Sequence, residues 1–97
     1  MSKAILIPAG ATPMVKDITS VRGIMKILKS KDLTHESLGE LTVYYLKNSN
    51  KNTHKLNKLS RKLKHTKIYG DAVIAGVDEA VELFDLTAEE IRKFTKI

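Results

Sequence analysis

Lys55, Lys58, Arg61, Lys62, Lys64 and His65 fall within eleven consecutive residues of this chain. Side chains of that kind, so closely spaced, can neutralise phosphates or carboxylates. They do not by themselves break or make a bond. The six lie inside a longer stretch, Leu41 to Gly70, with eight Lys or Arg and no Asp or Glu. The chain has a net charge of +6, and that charge is concentrated here. Concentrated charge is evidence about partners. The chemistry it supports is anion binding in one of two forms. A row of cations along a nucleic-acid backbone makes sequence-neutral contacts that weaken in salt. A compact nucleotide held by Lys58 and Arg61 is the second form. The alternative to both is a solvated face that keeps the protein soluble.

The other reactive side chains do not assemble into a catalytic set. Asp71 follows Gly70 and suits satisfying backbone N–H groups at a turn. No partner for it as a catalytic acid is evident. The chain has three histidines, His35, His54 and His65. On one helix His54 and His65 would stand about 16 Å apart, too far to share a metal. His35 has only Glu36 beside it. No Gly-x-Ser-x-Gly elbow occurs, and Gly10-Ala-Thr-Pro13 lacks the Lys-Ser/Thr of a phosphate-binding loop. The acids of Val77–Glu82 suit an exposed turn. With no cysteine there is no disulfide, thiol nucleophile or Cys-based zinc site. A non-enzymatic protein without a cofactor is expected.

Composition narrows the class further. Ninety-seven residues make one domain, and 42 % apolar residues supply a core of mainly Leu, Ile and Val. No apolar run approaches the roughly 20 residues that cross a bilayer. The opening apolar run stops at Pro8, too soon for a signal peptide. A soluble, intracellular protein without a membrane role is expected. Residues 71–97 carry seven acids against three bases. If that block folds over the basic one, the charge is neutralised internally and the functional signal fades.

The elements that must position the cations follow from pattern. Ala4–Ile7 and Met14–Ile18 read as two strands of a hairpin around the breaker-rich turn Pro8–Pro13. Ser20 stands where an N-cap belongs, and Val21, Ile24, Met25 and Leu28 recur at helical spacing over 21–30. Residues 31–39 are polar and carry no clear period. Leu41–Leu46 is a strand by its β-branched and aromatic content. Its neighbours Tyr44 and Tyr45 must face opposite sides: one belongs to the core, and the other covers a face or stacks on a base. Over 53–65, Leu56, Leu59 and Leu63 form one stripe. At about 100° per residue, His54, Lys58, Arg61 and His65 form a band opposite. This predicts an amphipathic helix docked by three leucines. Ala72–Ala75 reads as a central strand, and 81–84 as a short last one. Thr87 and Glu90 form a capping box opening a helix over 88–96. There Ile91 points inward, and Lys93 and Lys96 sit at the end that favours cations.

Four short segments carry a family likeness. Lys3–Pro8 with Pro13–Ile18 forms the opening. Asn57-Lys-Leu-Ser60-Arg-Lys-Leu63 follows, then Ile68-Tyr-Gly70-Asp71-Ala-Val-Ile74-Ala-Gly76, then Leu86-Thr87-Ala-Glu89. Together these resemble a family of small domains of unknown function encoded by phages and large DNA viruses. The resemblance implies a compact α+β domain of viral origin. It implies no reaction and supplies no ligand set.

The expectation is a single α+β domain, a mainly antiparallel sheet with two to three helices packed on it. Its leading function is binding of nucleic acid or another polyanion through a basic helix 53–65. Lys55, Lys58, Arg61, Lys62, Lys64 and His65 would make the contacts. The alternatives are a structural or protein-interaction role against an acidic protein surface, and sequestration of a small nucleotide. Oligomeric state is left open.

Overall fold

Ala72-Val-Ile-Ala-Gly-Val77 has no polar side chain, a composition that suits only a strand covered on both faces. In the computed structural model, which describes residues 2–47, 52, 54–63, 66–80 and 82–96, this segment is the central strand. The elements are β1 (Ser2–Ile7), β2 (Met14–Ile18), α1 (Val21–Leu28), β3 (Leu33–Leu38), β4 (Leu41–Leu46), a 3-10 helix (Lys58–Lys62), β5 (Ala72–Val77), β6 (Leu83–Phe84) and α2 (Ala88–Thr95). The sheet runs β2-β1-β5-β4-β3, with β6 paired to the end of β5. Every pairing is antiparallel. The architecture is α+β and dominated by the sheet.

Alternation along the strands splits the core in two. Ile5, Ile7, Leu41, Val43, Ala72 and Ile74 face one side, where they meet Leu59, Ile68, Leu86 and Phe94. Ala4, Val73 and Ala75 face the other, where Ile18, Ile24 and Leu28 cover them. Thus α1 lies on one face, while the 3-10 helix and α2 lie on the other. The two tyrosines divide accordingly. Tyr45 packs against the first cluster and Tyr44 against the second, so each contributes to a core. Burial pushes both hydroxyls up, and the nearby Glu36 charge adds to the effect at Tyr45.

Helix α1 carries the chain from edge strand β2 to the opposite edge strand β3. Its Gly23 sits against β2: a Cβ there would stand 3.2 Å from the Cβ of Ile18. The helix closes with Lys29 in the left-handed region, φ 55°, as its N–H donates to the carbonyl of Met25. The polar stretch after it is β3, whose residues His35, Glu36 and Ser37 are exposed. An edge strand with little cover has no apolar alternation to display. That is why residues 31–39 show no period.

The α-helix expected over 53–65 does not form among the described residues. Leu56 bridges Tyr69 in antiparallel fashion, Asn57 is extended, and only Lys58–Lys62 turn, as a 3-10 helix. Leu63 is extended again. The leucine stripe is broken with the helix. Leu59 is fully buried and Leu63 packs on the core, but Leu56 is 49 % exposed. The cause is tertiary hydrogen bonding that overrides helical propensity. The Asn57 N–H donates to the Ile68 carbonyl at 2.7 Å, and the Gly70 N–H donates to the Lys55 carbonyl at 2.7 Å. The Asn57 side chain, fully buried, donates to the carbonyls of Ile7 at 2.7 Å and Gly70 at 2.9 Å. Its Oδ1 accepts from the Leu59 N–H at 2.9 Å. Ser60 adds a second link, its Oγ accepting from the Ile68 N–H at 2.8 Å. Gly70, at φ 92°, lets the chain turn back under this network.

Candidate anion-binding surface

Leu59 of the 3-10 helix and Phe94 of α2 are buried in the same cluster, so both short helices pack on the same face of the sheet. The cations flanking those anchors then share a rim. Lys58, Arg61 and Lys62 from the 3-10 helix face Lys93 and Lys96 from the end of α2 across an open cleft of about 350 Å³. Among the described residues these five side chains line it, and none of them is a carboxylate. Lys58 is half-buried and the other four are exposed. Lys93 is also steadied over the Phe94 ring, with Nζ 5.5 Å from the centroid.

Of the six expected contact residues, the fold brings three together here: Lys58, Arg61 and Lys62. Lys55 lies apart, over the β1–β2 turn; its Nζ is 3.8 Å from where a Cβ on Gly10 would stand. Lys64 and His65 lie outside the described residues. Lys93 and Lys96 are added, and sequence reasoning gave them only a role at the end of their own helix. The one available signal was their position as the basic tail of an otherwise acidic block. Sequence separation hid the meeting of the two segments.

Among the described residues, no acid of the 71–97 block lines the cleft. Four of the block's seven carboxylates accept from backbone N–H groups elsewhere in the fold. Asp71 Oδ1 accepts from Ala9 at 3.0 Å, and Asp85 Oδ1 accepts from Lys3 at 2.9 Å. Asp78 Oδ1 closes the β5–β6 turn by accepting from Ala80 and Glu82, both at 2.9 Å. Glu90 Oε1 accepts from the Thr87 N–H at 2.8 Å in the expected capping box. Among the described residues, none of these acids stands in the lining beside the five cations.

Five like charges held together repel one another. In water the cost is about 1 kcal/mol for a pair at 4 Å, and less at longer range or in salt. A polyanion in the cleft would relieve it. Among the described residues, no three of His, Asp and Glu group as metal ligands. No helix among them is long and apolar enough to cross a membrane. No family model, curated protein or solved structure matches this chain.

Proposed function

We propose that this protein binds nucleic acid through its phosphates, using the cleft of Lys58, Arg61, Lys62, Lys93 and Lys96, and that it does so without catalysis. The observation that carries this reading is the cleft's lining: among the described residues, five cations drawn from two separate segments and no carboxylate. The contacts are to backbone phosphates, so binding is indifferent to base sequence. Lys64 and His65, next in the chain to Leu63, extend the same basic run.

The test is affinity for a random-sequence duplex at two salt concentrations. If all five cations contact phosphates, the slope law gives a loss of about 500-fold between 50 and 200 mM salt. The double variant Arg61→Glu/Lys62→Glu, at two exposed positions, should bind weakly and flatten the slope by about 2. An absence of binding at low salt sinks the proposal. So does a double variant that binds like the parent. Docking on an acidic protein predicts no duplex binding, and a nucleotide sponge predicts saturation by mononucleotide alone.

A further inference from the structure

A second cationic surface lies on the far side of the sheet. Arg22, Lys26, Lys29 and Lys31, with Met25 and Ser30, line an open groove of about 770 Å³ along α1. All four cations are exposed, and α1 contains no acid. Arg22, Lys26 and Lys29 recur at spacings of four and three, which puts them in one row about 10 Å long. Ile24 and Leu28 bury the helix's other side against Val73 and Ala75. The row therefore points directly away from the sheet. The first cleft lies between the 3-10 helix and the end of α2, whose anchors Leu59 and Phe94 pack with Ile5, Ile7 and Ile74 on the opposite face.

From this disposition we infer that one molecule bridges two nucleic-acid duplexes, one on each face of its sheet. The inference rests on the phosphate-binding reading of the first cleft. What it adds is a second site and a function, holding duplexes together. Stiffness decides between bridging and wrapping. The molecule measures 35 × 27 × 23 Å. A duplex has a persistence length of about 500 Å and does not bend smoothly around so small a body to reach both faces. Two rows on opposite faces therefore take two duplexes. Contacts from both rows to backbone phosphates carry no base information, so the duplexes need share no sequence.

The experiment mixes two short duplexes of unrelated sequence, one with a donor dye and one with an acceptor, with the full chain at low salt. Energy transfer between them reports bridging. Binding to a single duplex is titrated separately, and sedimentation at the same concentration reports whether the protein is monomeric. The inference expects transfer with monomeric protein. Arg22→Gln/Lys26→Gln should cut that transfer at least about tenfold, while single-duplex affinity falls by no more than about threefold. Lys3→Gln/Lys16→Gln removes the same charge from exposed positions outside both rows and should leave transfer intact. Single-duplex binding without transfer overturns the bridge and leaves the first cleft standing. Transfer that survives in Arg22→Gln/Lys26→Gln, is lost equally in the control, or arises only from a protein dimer also overturns it. No duplex binding at all removes both proposals together.

Discussion

The two coverings of the sheet are built differently. On one face a single continuous helix, α1, lays Ile24 and Leu28 on Ala4, Val73 and Ala75. On the other, residues 55–63, 66–70 and α2 combine apolar anchors, Leu59, Ile68 and Phe94, with a buried amide, Asn57, that ties three backbone groups together. The first covering is held by area and the second by area and geometry. Each also presents cations, but α1 takes its row from one segment while the cleft needs two. The charge arrangement of α1 is thus local. That of the cleft depends on the Asn57 network, which ties the start of the 3-10 helix to the end of β1 and to Gly70.

The largest expected effect tests that dependence. Asn57→Ala leaves the carbonyls of Ile7 and Gly70 and the N–H of Leu59 without their buried partner. At roughly 1–3 kcal/mol for each unsatisfied group, partly offset by relaxation, the loss is about 4 kcal/mol. Urea unfolding measures it, and a loss under about 1.5 kcal/mol would mean that water replaces the amide and the network is not what holds this face. Ile24→Ala probes the other covering. It removes a fully buried side chain from the α1 interface and should cost about 3 kcal/mol. The comparison reverses if Ile24→Ala proves clearly the more damaging of the two. Gly70→Ala comes next. Its φ of 92° is strained for any side chain, and a Cβ would meet the His54 ring at 3.1 Å. About 2 kcal/mol is expected, and no measurable change would show that this turn can relax.

The same contrast explains what the sequence disclosed. Helix α1, the opening hairpin, strand β4, the central strand and the Thr87–Glu90 box were legible because hydrophobic period, β-branching and capping pattern are local signals. Residues 53–65 misled because Leu56, Leu59 and Leu63 carry a helical period, while the deciding interactions reach from Asn57 to Ile7 and Gly70. A buried Asn among lysines looks in sequence like any polar surface residue. The site was legible by halves for the same reason. Lys58, Arg61 and Lys62 announced themselves as a cluster. Lys93 and Lys96 joined them only through the shared burial of Leu59 and Phe94.

The smallest effects distinguish the two helices at their starts. Thr87 accepts from the Glu90 N–H at 3.1 Å, so Thr87→Ala removes a formed cap and should cost about 1 kcal/mol. Ser20 occupies the matching position before α1, with extended backbone at φ −160° and ψ 170°, yet its hydroxyl makes no capping bond. The contact that starts α1 is the Gly23 N–H donating to the Ser20 carbonyl at 2.9 Å, and alanine keeps that carbonyl. Ser20→Ala should therefore change stability by less than about 0.5 kcal/mol, the range of an uninvolved surface position. Parallel thermal melts of the two variants measure the difference directly. Equal losses would show that the Ser20 hydroxyl caps α1 in solution, and that apolar packing alone does not fix where this helix begins.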